Sequence, residues 1–220
     1  MEALLPRRVP ALRAALRGEL SLRSLAMAAL AGGLLYGMVM GSYFESASPR
    51  PLQMLYSALK VPLLLGVTFA LTLPSFFVLN TLLGLRDDFG LVLRALLGAQ
   101  ATLALVLASL SPYTLLFYAS TPDYQASQLF NLLMFTVASV SAQLSLRRRY
   151  GELIRRDRRH RFMLRAWLTL FAFVAVQMAW VLRPFIGTPD TPTQFFREGV
   201  WDNAYVIVLQ LIWRVLTGGG

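Results

Sequence analysis

The chain has 220 residues, 56% of them hydrophobic and only 15% charged, and its mean hydropathy is +0.56. Soluble domains run at about 45–50% apolar and about 25% charged, so neither a soluble domain nor a disordered chain fits. The net charge is +10; with no cysteine and one histidine, His160, disulfides, thiol chemistry and His-pair metal sites are excluded.

In chain order, residues 1–23 form a basic N-terminal unit in which Pro10 to Arg23 reads as a short helix lying on anionic lipid. Ser24 to Phe44 follows, uncharged and as long as the roughly 20 apolar residues a bilayer requires. It outruns the core of a cleaved signal and so reads as a retained first span. Gly33, Gly37 and Gly41 recur on one face of it, a small-residue stripe for close packing against another helix of the chain or against a second copy. Glu45 to Lys60 reads as a loop. The second span, Val61 to Leu83, carries Pro62 harmlessly in its first turn and Pro74 deep inside, where a kink is expected with Thr72 and Ser75 near the freed carbonyl.

Phe89 to Ser111 is the third span, entered through a tight link in which Asp87 and Asp88 read as a solvated turn beside Arg86. Pro112 to Ala126 reads as a loop, Ser127 to Leu146 as the fourth span and Ala166 to Leu182 as the fifth. Between these last two lies an arginine-rich loop, residues 147–165. Residues 188–220 form an outer segment and a C-terminal helix, Val200 to Leu216, which Asp202 and Arg214 shorten to an interfacial or sixth short helix. No segment alternates as a barrel strand would. The fold class is therefore all-α, an integral membrane bundle of five transmembrane helices over residues 24–187 plus that C-terminal helix.

The basic residues cluster before span one, in the 84–88 link and in loop 147–165, all on one side of this map. The positive-inside rule makes that side, and the N-terminus, cytoplasmic. Arg147, Arg148, Arg149, Arg155, Arg156, Arg158, Arg159 and Arg161 then face anionic headgroups or an acidic protein partner. No nucleic-acid module is present, so nucleic acid is not expected as a partner. Among uncharged polar groups, Asn80, Gln100, Asn131 and Gln177 serve either interhelical hydrogen bonding or a polar pocket. Arg183, directly before Pro184, marks the end of span five. It is either a snorkelling anchor or, through its five-donor fork, the organiser of the segment after Gly187 into an outer docking cap.

No catalytic constellation and no phosphate loop is found, and no cofactor or metal is implied. The stretches TLPSFFVLNTLLGL (72–85), LASLSPYTLLFYASTPDY (107–124) and QMAWVLRPFIGTPDTPTQFFR (177–197) resemble an uncharacterised bacterial polytopic membrane protein family. The resemblance implies a shared fold and a bacterial cytoplasmic (inner) membrane, but no activity; a looser architectural likeness is to Yip1-type membrane proteins. The expected function is that of a non-catalytic scaffold or accessory subunit of a membrane complex, with a protein partner or a homo-oligomer. The alternative is a permease or channel-like protein for an uncharged or lipidic ligand.

Overall fold

The computed structural model of the protein describes residues 21–43, 51–187, 193–196 and 206. The basic N-terminal segment up to residue 20 and, apart from Val206, the C-terminal helix expected over 200–216 lie outside the described residues. Within them are five helices, α1 Leu22–Gly41, α2 Pro51–Leu82, α3 Phe89–Ser120, α4 Tyr124–Arg156 and α5 Arg159–Val181, with a 3-10 turn at Arg86–Asp88. All five are long and apolar enough to cross a membrane. The chain is an integral membrane protein of all-α architecture.

The helices run up and down. One end of the bundle, the arginine end, holds the start of α1, the Arg86–Asp88 turn and the α4–α5 elbow. The other holds Tyr43, Tyr118 and Tyr124, and is the tyrosine end. Local signals set the helix limits. Ser21 caps α1 by accepting from the Ser24 amide at 3.1 Å, and Asp123 caps α4 by accepting from the Gln125 amide at 2.8 Å. At the end of α2, Gly84 takes φ +71, so that Gly84 and Leu85 donate back to Thr81 and Asn80, the left-handed stop that glycine adopts without strain. The Asn80 amide closes the same turn by donating to the Leu85 carbonyl at 2.9 Å.

The main limits that differ from the sequence reading share one physical reason. A hydropathy count stops at the first charge or proline, whereas the backbone ladder continues as long as one face stays packed. α2 begins at Pro51, so Lys60 lies inside the helix and Pro62 is interior to it rather than in its first turn. Thr72 donates to the Thr68 carbonyl at 2.6 Å rather than to the one Pro74 frees. α3 continues through Pro112 to Ser120, reducing the expected third loop to residues 121–123. The expected arginine-rich loop is helical except at residues 157–158: Leu146, Tyr150, Leu153, Met163, Leu164 and Trp167 recur at helical spacing and bury together, and arginine is itself a good helix former.

α1 sits between α2 and α3. A Cβ on Gly33 would lie 3.3 Å from Pro62; one on Gly37 would lie 2.8 Å from the Ala58 Cα, and one on Gly41 2.8 Å from the Met54 Cα. The stripe therefore faces α2 of the same chain, while Gly32 meets the Ala104 carbonyl of α3. α1 and α3 are the most enclosed elements, each with 44% of its apolar window buried, and α5 the least, with 17%.

Candidate functional site

At the arginine end, Arg147, Arg148, Arg155, Arg156, Arg158, Arg159 and Arg161 are exposed. Arg149 is half-buried, its guanidinium packed on Gly98. The elbow that carries them is pinned to the rest of the bundle. His160 is 0% exposed and its Nε2 lies 3.1 Å from the Asp88 carboxylate; its ring meets Tyr150 edge-on at 6.0 Å. The Arg159 guanidinium donates to the Leu83 carbonyl at 3.0 Å, and Asp157 accepts from the Arg159 amide at 2.8 Å. A rigid helical hairpin thus presents the positive charge. By sequence His160 reads as part of an arginine-rich loop and Asp88 as part of a solvated turn, and nothing adjacent in the chain pairs them. The only signal in the chain was the helical spacing of the apolar residues around His160.

At the tyrosine end the chain leaves α5 at Leu182 and crosses the bundle as a short strap, residues 183–187. Three consecutive carbonyls of the strap are each taken by a side chain of another helix. Lys60 donates to Pro184; Ser57 and Gln53 both donate to Phe185, the latter at 3.1 Å; Tyr124 donates to Ile186 at 3.4 Å. Lys60, the only lysine in the chain, is 0% exposed and lies 5.2 Å from the Phe195 ring centroid. It was read as a loop residue and is a buried member of α2. Arg183 stacks its guanidinium 3.5 Å from the Trp180 ring centroid, consistent with helix α5 ending at Val181. Asp190 and Glu198, the acids available to it by sequence, lie outside the described residues.

The structure does not bring Asn80, Gln100, Asn131 and Gln177 together in one polar pocket. Asn80 closes the α2 turn. Asn131 accepts from the Tyr36 hydroxyl at 2.9 Å and donates to the Tyr118 hydroxyl at 2.6 Å. Gln177 is half-buried on α5. Gln100, 7% exposed, borders two cavities. One, about 210 Å³, lies between α1, α2 and α3 and includes Gly66 and Phe69 in its lining. The other, about 250 Å³, lies between α3, α4 and α5 against Trp167 and Phe171.

The fold and these surfaces define a class, a helical membrane protein with five spans among the described residues, a basic platform at one end and a hydrogen-bonded strap at the other. Comparison with protein-family models, with curated proteins and with solved structures found no match.

Proposed function

We propose that the protein is a non-catalytic scaffold or accessory subunit of a membrane complex, seated in a bacterial inner membrane with its arginine end in the cytoplasm and docked there on anionic phospholipid headgroups. The observation that carries this reading is the mounting of eight exposed arginines, Arg165 among them, on a helical hairpin fixed by the His160–Asp88 contact. A pre-formed platform loses little conformational freedom when it meets a charged surface. The charge distribution supports the orientation through the positive-inside rule, and the family resemblance supports the bacterial inner membrane.

The test is native mass spectrometry of the detergent-solubilised full chain carrying phosphatidylglycerol. Replacing Arg155, Arg156, Arg158 and Arg161 with Gln spares Arg159, which holds the elbow. At about 1 kcal/mol per basic residue, the variant should retain the anionic lipid at least about tenfold less well, with the gap narrowing as salt screens the charges. Equal retention by both chains would remove the lipid-docking role.

A further inference from the structure

The cavity between α3, α4 and α5 has features that the scaffold reading does not use. Gln100 is nine-tenths buried, and its side-chain oxygen has no hydrogen-bond partner among the described residues. Buried polar atoms are ordinarily paired, so such an oxygen calls for a donor. Apart from Gln100, Ser139 and Gln143 the lining of the cavity is apolar, and the cavity opens on the apolar outer face of α5, so a donor for this oxygen can arrive on a molecule that enters from the hydrocarbon phase.

The lining specifies the rest of that molecule. No charged side chain borders the cavity, so the ligand is neutral. Trp167 and Phe171, stacked with centroids 5.6 Å apart, form an aromatic wall for an apolar body. Entry needs no aqueous route, because Ala172 and Val176 at the rim are exposed on the apolar outer face of α5. The terminal torsion of glutamine is broad, which lets the amide oxygen turn into the cavity. We propose that this cavity binds a neutral, lipid-soluble alcohol, its apolar body against Trp167 and Phe171 and its hydroxyl hydrogen donated to Gln100 Oε1.

Trp167 gives the site its own reporter. Tryptophan emission of the detergent-solubilised full chain is followed while a long-chain ω-bromo alcohol is added, and in parallel the bromoalkane of the same length without the hydroxyl. The Trp167→Phe chain supplies the background of the other three tryptophans. The expected result is saturable quenching by the alcohol, weakened about fivefold in Gln100→Leu, which is the worth of one neutral hydrogen bond. The alkane should quench both chains alike and more weakly. Ala172→Phe, which fills the rim from an exposed position, should abolish saturation. Gly66→Leu, which fills the other cavity where an added Cβ meets nothing within 4 Å, should leave it intact. Equal quenching by alcohol and alkane, or equal affinity in the parent and Gln100→Leu chains, would overturn the proposal, as would the absence of saturable quenching. Loss of saturation in Gly66→Leu with none in Ala172→Phe would overturn the placement in this cavity.

Discussion

At Gly37 an added methyl group would sit 2.8 Å from the Ala58 Cα and closer still to the Ser57 carbonyl, whereas at Gly66 it would meet nothing within 4 Å. Both glycines lie inside spans, and the four-residue stripe marks Gly37 but not Gly66 for close packing. Gly37→Ala must push α1 off α2, and overpacking of this kind costs about 1–3 kcal/mol. Gly66→Ala instead gains helix propensity, about 0.8–1 kcal/mol on soluble-helix scales. Thermal unfolding in detergent should therefore place the two variants on opposite sides of the parent. Two melting temperatures moving down together would show that the α1–α2 contact is not what Gly37 serves. Lys60 and His160 show the same dependence on surroundings. Each is the only residue of its type, each was assigned to a loop by its charge, and each is fully buried because the helix carrying it continues past the apolar stretch.

At the scale of elements, the α4–α5 elbow is the piece that sequence reading misjudged most. A run of arginines reads as a solvated loop, yet Tyr150, Leu153, Met163 and Leu164 turn inward beneath it and the arginines line the outer surface of a continuous hairpin. The elbow is anchored by Asp88. Asp88→Ala would leave the buried His160 Nε2 without its partner, since its Nδ1 has none among the described residues. Losing the partner of a buried polar group costs about 1–3 kcal/mol. Hydrogen exchange over residues 157–164 should accelerate in Asp88→Ala and remain at the parent rate in Asp87→Ala, whose side chain is exposed. If both variants exchange at the same rate, the elbow does not depend on the His160–Asp88 contact. The strap at the other end follows similar logic: Gln53, Ser57 and Lys60 lie on one face of α2 and hold it by its carbonyls, while Arg183 is occupied with the Trp180 ring.

For the molecule as a whole, the absence of cysteine makes topology directly measurable, because each introduced thiol is the only one. Cysteine at Asp123, exposed at the tyrosine end, and at Arg156, exposed at the arginine end, should label from opposite sides of the membrane. In intact cells an impermeant maleimide should reach the first and not the second. Labelling of both from outside would rule out the up-and-down map with the arginine end in the cytoplasm. Hydropathy and charge alone determined the solvent of this protein, the order of the five spans among the described residues and the clustering of arginines between the last two of them, because each depends only on residues adjacent in the chain. Tertiary structure alone decided that the glycine stripe faces α2, that Lys60 and His160 are buried, that Asn131 bridges Tyr36 and Tyr118 while Gln100 borders two cavities, and that the strap is held by its carbonyls. Those outcomes depend on which distant helices meet, and a backbone that packs another helix against one face continues through proline and charge where a hydropathy count ends.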